Sequence, residues 1–159
     1  MSHRSSLMPQ YDIAMSHAYA AIFLHVVFST REREALIPEE REGDLFAYIG
    51  GIAKNLGFRL LKIGGTADHV HLLISIPAKM PATIAIQKIK ANSSRFLGDG
   101  FAWQEGYGVF TVSASQLETM TRYIAGQREH HRRHTFDQEF NALLQRYGLR
   151  RDLEADAVP

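Results

Sequence analysis

Apolar residues recur along the chain at the spacings of strands and helices, beginning with one long apolar run. The run YAAIFLHVVFST, residues 19–30, is rich in β-branched and aromatic residues, which is typical of a central strand. A helical repeat of apolar residues follows in GDLFAYIGGIAKNLG, where Gly57 is a natural C-terminal stop. The segments FRLLKIGGTA and DHVHLLISIP then predict two strands joined by a turn or bulge.

The next part of the chain predicts a helix and a fourth strand. Pro81 opens a helix that runs to about Phe96, and glycines directly after it stop it. The segment YGVFTVS, residues 107–113, has the composition of a strand. The order β-α-β-β-α-β is the split βαβ pattern of ferredoxin-like sheets.

Two further helices complete the pattern. Ser115, followed three residues later by Glu118, predicts a capping-box start for a helix that runs to about His131. The segment TFDQEFNALLQRYG predicts a last short helix, with Asp137 as its cap. The whole chain therefore predicts an α+β fold: a ferredoxin-like antiparallel sheet with helices packed on one face, plus a C-terminal helix that carries Tyr123.

Composition limits the class of protein. The 159 residues are 45% hydrophobic and 22% charged, as in ordinary globular proteins. We expect one domain at residues 19–150, a flexible tail at 1–18 and an acidic tail at 151–159. The sequence has no apolar run of membrane-spanning length and no secretory signal, so we expect no membrane partner. It also has no cysteine, which excludes disulfides and cysteine-based zinc sites and fits a cytoplasmic location.

The net charge of +1 conceals two basic blocks. Residues 54–95 contain seven lysines and arginines and a single acid, Asp68. Residues 121–151 contain seven arginines and three acids. Two interpretations are open: the blocks bind a polyanion, or they are solvated helix faces.

A pair of histidines lies in the third predicted strand, with one valine between them. Because side chains alternate along a strand, His69 and His71 share a face, opposite the apolar Val70, Leu72 and Ile74. Two interpretations are open here as well. The histidines either face solvent, as in many strands, or converge on one divalent metal ion. The second interpretation needs a third ligand and a reactive group.

The helix after Ser115 offers both. Leu117, Met120 and Ile124 form its apolar stripe, and Tyr123 and Gln127 lie one turn apart on a neighbouring polar stripe. Tyr123 is either a partly exposed aromatic residue or a nucleophile able to form a phosphotyrosine. With the histidine pair, the Gln127 amide oxygen would give a mixed nitrogen and oxygen site, which suits Mn²⁺ or Mg²⁺. The sequence names no general base.

Four segments together resemble a known family: HVVFSTRER, DHVHLLISIP, WQEGYGVFTVS and YIAGQREHHRRHTFDQEF. They resemble the HUH single-tyrosine transposases, the small TnpA-like enzymes of insertion sequences, over residues 19–147. The resemblance implies that His69, His71 and Gln127 hold Mg²⁺ or Mn²⁺ and that Tyr123 forms a 5′-phosphotyrosine link. It further implies a homodimer acting on single-stranded DNA with hairpins, in the cytoplasm of a bacterial or archaeal cell.

Other residues have weaker signals. His25 is expected to be a packed or hydrogen-bonded core histidine. The EHHRRH segment, residues 129–134, is either a metal site or, as its basic residues favour, a helix end that contacts phosphates. Candidate DNA contacts are the basic residues of the second helix and in or beside EHHRRH, namely Lys88, Lys90, Arg95, Arg128, Arg132 and Arg133. The leading function is a metal-dependent transposase that cleaves and rejoins single-stranded DNA at hairpin-marked ends. The alternatives are a domesticated hairpin-binding nuclease associated with repetitive extragenic palindromes, a non-catalytic nucleic-acid-binding regulator, and a metal hydrolase that activates water.

Overall fold

Four antiparallel strands form the centre of the protein. The computed structural model describes residues 19–151, so the tail predicted at 1–18 and all but Arg151 of the predicted acidic tail lie outside it. The strands are β1 Ile22–Ser29, β2 Arg59–Gly65, β3 His69–Ile76 and β4 Gly108–Val112. The helices are α1 Glu42–Leu56, α2 Ala82–Leu97, α3 Leu117–Ala125, α4 Gln127–His130 and α5 Phe136–Arg146. The sheet order is β2-β3-β1-β4, which confirms the predicted α+β fold with an antiparallel sheet.

The two long helices cover one face of this sheet. On that face, β3 contributes Val70, Leu72 and Ile74, which are fully buried in the main hydrophobic core. They meet apolar residues of α1 and α2 at helical spacing, among them Leu45, Ile49, Ala85, Ile86 and Ile89. Alternation along β3 therefore sends its unbroken apolar set into the core, as the sequence pattern predicts.

The opposite face is polar in composition but is also covered. It carries His69, His71 and Leu73 of β3, which are all 0% exposed. Smaller apolar clusters attach α3 and α5 to this face through Ile124 and Leu143. Neither face of the central strand is therefore open to water, and the interpretation of His69 and His71 as solvent-facing residues is wrong.

Helix α3 approaches the sheet unusually closely at one glycine. A Cβ placed on Gly64 of β2 would lie 2.1 Å from the carbonyl oxygen of Ile124. Such a distance is far inside van der Waals contact, so only glycine allows this approach. Since Tyr123 precedes Ile124, the contact also fixes the height of the tyrosine above β3.

The helix starts differ from those predicted. The predicted capping box at Ser115 is wrong, because a 3₁₀ turn at Ala114–Gln116 precedes α3 and no side chain caps its N-terminus. The capping box of the chain belongs to α5, where Thr135 and Gln138 hydrogen-bond each other's backbone in place of the predicted Asp137 cap. Asp137 instead pairs with Arg33.

The predicted helix from Ser115 to His131 is interrupted at Gly126. Helix α3 ends at Ala125 and α4 begins at Gln127. Glycine is a poor helix former, which is consistent with a break at this position. None of the helices within residues 19–151 is both long and apolar enough to cross a bilayer.

Candidate active site

Three histidines of the two central strands lie under α3, α4 and α5. His25 belongs to β1, whereas His69 and His71 belong to β3, and all three are 0% exposed. The β1–β3 register places Val27 opposite His71, so His25 is the diagonal neighbour of His71 across the ladder. The sheet therefore sets the spacing of the histidines, and the helices close over them.

His69 is held in one orientation by the turn that precedes β3. Its Nδ1 lies 2.7 Å from Asp68 Oδ1 and 3.0 Å from Thr66 Oγ1. Burial would raise the pKa of Asp68, but hydrogen bonds from His69 and Thr66 outweigh it and hold the pKa below its usual range. Asp68 is therefore ionised and accepts the Nδ1 proton, which directs the Nε2 lone pair of His69 into the site.

Gln127 presents an oxygen to that same nitrogen. Gln127 Nε2 donates to Glu139 Oε2 at 3.1 Å, which fixes the amide so that its Oε1 lies 3.1 Å from His69 Nε2. When His69 carries a single proton on Nδ1, two lone pairs face each other at this distance. Such a pair of acceptors is satisfied by a proton on Nε2 or by a cation, so its chemistry fits a metal site.

His71 lies between His25 and Glu139 and contacts both. His25 Nε2 lies 2.7 Å from His71 Nδ1, and His71 Nε2 lies 2.8 Å from Glu139 Oε1. Burial lowers the pKa of His71 to about 4 and that of His25 to about 3. Both rings are therefore neutral near pH 7. The prediction of His25 as a hydrogen-bonded core histidine agrees with this geometry, and its contact with His71 adds a role that the sequence did not suggest.

Glu139 of α5 is the acceptor around which the site converges. Its carboxylate is 5% exposed and accepts hydrogen bonds from Tyr123, Gln127 and His131 in addition to His71. Burial would raise the pKa of this carboxyl, but the hydrogen bond and charge of His71 outweigh it and hold the pKa far below its usual range. Glu139 is thus a buried, ionised carboxylate.

Tyr123 reaches the site from α3. Its hydroxyl donates to Glu139 Oε2, and its ring packs edge-on against His71 with the centroids 5.7 Å apart. Burial raises the pKa of Tyr123 well above its ordinary value of 10, and the neighbouring carboxylate acts in the same direction. The phenol is therefore protonated at neutral pH and shares its proton with Glu139.

A group of side chains here can hold a metal ion. One ligand atom from each of His69, His71, His131 and Glu139 lies within 4.8 Å of the others. The predicted ligand Gln127 contacts two members of this group. Glu139 was missed by the sequence analysis, and His131 belongs to the EHHRRH segment, for which a metal site was the less favoured of two interpretations. A signal for Glu139 existed: it lies on the apolar stripe of α5 with Phe136 and Leu143, where a carboxylate is costly without partners.

The basic residues predicted to bind DNA lie on two parts of the chain, three on α2 and three in or just after α4. Lys88 is exposed on α2, while the Lys90 ammonium donates to the carbonyls of Gln104 and Gly106 at 2.7 and 2.8 Å. The four arginines are exposed. Three of them have partners on the protein surface: Arg95 with Asn92, Arg128 with Glu42, and Arg132 with Glu129. Contact with phosphate stays a prediction for all six, and for Lys90 it would compete with two hydrogen bonds.

The chain is similar to known transposases. Residues 18–127 match the family model described as Transposase IS200 like. Two curated relatives are the transposases for insertion sequence element IS200 of Salmonella typhimurium and Salmonella typhi. Each is 30% identical over 121 residues, which cover 66% of this chain and 76% of the relative.

Two solved structures share the fold. A candidate transposase of Deinococcus radiodurans R1 superposes with a TM-score of 0.57 at 22% identity, over 67% of this chain and 91% of that one. The REP-associated tyrosine transposase bound to a REP hairpin superposes with a TM-score of 0.55 at 14% identity, over 68% and 67% of the two chains. Helix α5, which carries Glu139, lies beyond the residues that match the family model.

Proposed function

The chain belongs to the IS200-like transposase family, and from this membership we propose that it cleaves and rejoins single-stranded DNA through Tyr123. The observation that carries the proposal is the convergence of His71, Gln127 and the Tyr123 hydroxyl on the buried carboxylate of Glu139, with His69 Nε2 3.1 Å from the Gln127 amide oxygen. These side chains come from β3 and from three helices, α3, α4 and α5, that lie far from β3 in the sequence, so their meeting is a property of the fold. A relative bound to a REP hairpin supports hairpin-bearing DNA as the substrate.

The reaction begins with attack of the Tyr123 oxygen on the scissile phosphorus. A bond forms between that oxygen and phosphorus, and the bond from phosphorus to the 3′ oxygen breaks. The phenolic proton passes to Glu139, which already accepts it in a hydrogen bond, and the leaving 3′ oxygen takes a proton from solvent. The DNA is left with a free 3′-OH and a 5′-phosphotyrosine link. Since both the broken and the formed bonds are phosphoesters, a later attack by a 3′-OH reseals the strand without ATP.

The pKa shifts of Tyr123 and Glu139 describe the resting state of the pair. The raised pKa of Tyr123 keeps the phenol protonated and unreactive until a phosphodiester is placed beside it. The lowered pKa of Glu139 keeps the carboxylate ionised at neutral pH but also makes it a weak base, so its hydrogen bond to the Tyr123 hydroxyl, and not its basicity, supports it as the proton acceptor. We therefore assign to Glu139 the general-base role that the sequence left without a residue.

A divalent metal ion, Mg²⁺ or Mn²⁺, completes the proposal. His69, His71 and Gln127 would hold it, with Glu139 and His131 as the further ligands that the fold brings within reach. When bound, the ion supplies Lewis-acid polarisation of a phosphoryl oxygen and orients the phosphodiester. Mixed nitrogen and oxygen donors are the ligand set expected of Mn²⁺ more than of a structural zinc site.

Tyr123 meets the histidines of its own chain, so one subunit contains every side chain of the proposed site. The homodimer implied by the family resemblance is retained as a proposal. In this arrangement, dimer formation serves to hold two DNA ends together and is not required to complete a site. Mixing of two inactive variants, described in the Discussion, distinguishes this arrangement from one in which the tyrosine helix is exchanged.

The proposal is tested by trapping the covalent link. The protein is incubated with Mn²⁺ and labelled single-stranded oligonucleotides copied from the hairpin-forming DNA that flanks its gene, then run on a denaturing gel. We expect a protein–DNA adduct that protease removes, that Tyr123→Phe abolishes, and that Tyr48→Phe, a change at an exposed tyrosine, leaves intact. Absence of an adduct with the wild-type protein refutes the mechanism. Cleavage by Tyr123→Phe with a free 5′-phosphate would indicate a metal hydrolase, and binding without cleavage a regulator.

A further inference from the structure

A cavity of about 630 Å³ opens beside Tyr123. Its lining comes from the end of β4 and the turn after it, the outward face of α3, His130 of α4 with the nearby His134, and α5 with the residue that follows it. Tyr123 and Glu139 both belong to this lining, so the cavity is continuous with the proposed site. Its volume falls in the range of pockets that enclose small organic ligands.

We propose that this cavity binds the base of a nucleotide directly bonded to the scissile phosphate. The inference rests on the proposed function, because it takes Tyr123 as the atom that reaches the phosphorus. In an attacking complex the phosphorus lies roughly 3 Å from the Tyr123 oxygen. The nucleosides on either side of that phosphate are then within one nucleotide's length of Tyr123, which is where the cavity lies.

The walls of the cavity have the chemistry of a base site. Met120 and Leu143 supply apolar surface, and Tyr147 supplies an aromatic ring, whose hydroxyl donates to the Thr111 carbonyl at 2.9 Å. Unpaired bases are bound by stacking on aromatic and apolar side chains. The Tyr147 hydrogen bond ties the residue after α5 to β4, so this wall of the cavity is fixed to the sheet.

Polar groups in the lining match the edges of a base. Gln116 carries an amide donor and an amide acceptor, and Gln138 carries an amide donor, since its oxygen already accepts from the backbone N–H of Thr135. An amide can pair with the hydrogen-bonding edge of a base. The cavity thus combines apolar faces with a few polar groups, as base pockets do.

The charge of the lining also suits a nucleotide. Arg146 is its cation and forms no ion pair with any carboxylate in the described part of the chain. The carboxylate in the lining, Glu139, is already engaged by several donors. An incoming phosphate therefore meets a free guanidinium.

Most of these cavity residues lie outside the part of the chain that matches the family model. Gln138, Leu143, Arg146 and Tyr147 lie beyond residues 18–127. The site histidines and Tyr123 lie within the matched region. The family match therefore gives no assignment for the α5 wall, and base preference would be a property set by α5.

Binding is tested first, without any cleavage. The probes are the four deoxynucleoside 5′-monophosphates, the four 3′-monophosphates, and ribose 5-phosphate as a ligand without a base, each titrated into ¹⁵N-labelled protein. We expect at least one nucleotide to shift the amide signals of Thr119 and Ala142 at millimolar concentration, and ribose 5-phosphate, which can reach Arg146 only through its phosphate, to shift them clearly less at the same concentration. The 5′ and 3′ series show which neighbour of the scissile phosphate is bound.

One variant blocks the cavity without removing a site residue. Ala142 is exposed and lines the cavity, whereas Asn141 is exposed on the same helix and does not line it. We expect Ala142→Trp to weaken nucleotide binding at least tenfold and Asn141→Trp to leave it unchanged. Tyr123→Phe should still bind nucleotides, which separates failure of this inference from failure of the tyrosine mechanism.

The second measurement is base preference in cleavage. Adducts are collected from an oligonucleotide pool that is randomised on both sides of the cut and then sequenced. The wild-type protein and Asn141→Trp should favour particular bases at one position next to the cut, and Ala142→Trp should lose that preference. The inference is overturned if no nucleotide shifts the cavity signals, if Ala142→Trp binds as wild type does, or if its preference is unchanged.

Discussion

Replacing Gly64 by alanine should displace Tyr123 without changing any side chain of the proposed site. The new Cβ would lie 2.1 Å from the Ile124 carbonyl oxygen and 3.0 Å from its carbonyl carbon. Ordinary contact requires more than 3 Å, so the backbone of α3 must retreat by about 1 Å. Tyr123 precedes Ile124 and must move with it, which lengthens its hydrogen bond to Glu139.

The expected loss is large in rate and modest in stability. A displacement of about 1 Å at a reacting group costs on the order of 100-fold in rate. Overpacking costs about 1–3 kcal/mol of unfolding free energy, and restriction of the unfolded chain by alanine returns part of that. We therefore expect Gly64→Ala to remain folded at 25 °C and to form the DNA adduct about 100 times more slowly.

The assay is a single-turnover adduct time course with excess protein and Mn²⁺, accompanied by a thermal melt and a Mn²⁺ titration. The matched control is Gly51→Ala, since Gly51 lies in α1 with nothing within 4 Å of its would-be Cβ. The Gly51→Ala protein should gain about 0.5–1 kcal/mol of unfolding free energy from helix propensity and form the DNA adduct at the wild-type rate. A folded Gly64→Ala protein that reacts within twofold of wild type would show that α3 does not set the position of the nucleophile.

Three further outcomes are expected. Glu139→Gln keeps the size of the side chain but removes the proton acceptor, so adduct formation should fall by about 100-fold or more at pH 7.5; a rate close to wild type would remove Glu139 from the mechanism. A mixture of His71→Ala and Tyr123→Phe proteins should form no adduct, because each chain uses its own tyrosine, and recovery of activity on mixing would instead show exchange of the tyrosine helix. Acidification from about pH 6.5 to 4 should lower the melting temperature. Because the pKa values of His25, His71 and Glu139 are depressed in the folded protein, the unfolded chain binds more protons than the folded one over this range. A melting temperature that stays flat over this range would contradict the assigned protonation states.

The sheet and most of its elements follow from local patterns. The apolar run of β1 and the alternation in β3 each specify one face of a strand, and Gly57 ends α1 in the left-handed conformation expected of a C-terminal glycine, with a φ of 85°. Helix starts were less predictable because several residues can serve as caps. Ser115 and Asp137 had suitable side chains, but the tertiary packing of α3 and α5 placed the first turns elsewhere.

The site was predictable where its residues share one element. His69 with His71, and Tyr123 with Gln127, are pairs whose spacing fixes a common face of a strand or helix. Glu139 and His25 belong to other elements, and their place depends on how α5 and β1 pack against β3. The apolar stripe of α5 indicates that Glu139 is buried, but no local pattern indicates which residues of distant elements it contacts, so its place in the site was not predicted.

The layered fold predicts which parts of the molecule open first in local unfolding. Strands β1 and β3 are each hydrogen-bonded on both edges and should exchange their amide hydrogens slowest. Helices α3 and α5 are attached by two smaller clusters and should exchange faster. The proposed ligands His69 and His71 thus belong to the slowest-exchanging unit, while the proposed nucleophile Tyr123 and Glu139 belong to a separate one. Mild denaturant should therefore detach the tyrosine layer while the histidine-bearing strands stay protected, and hydrogen exchange would report this as two cooperative units within a single site.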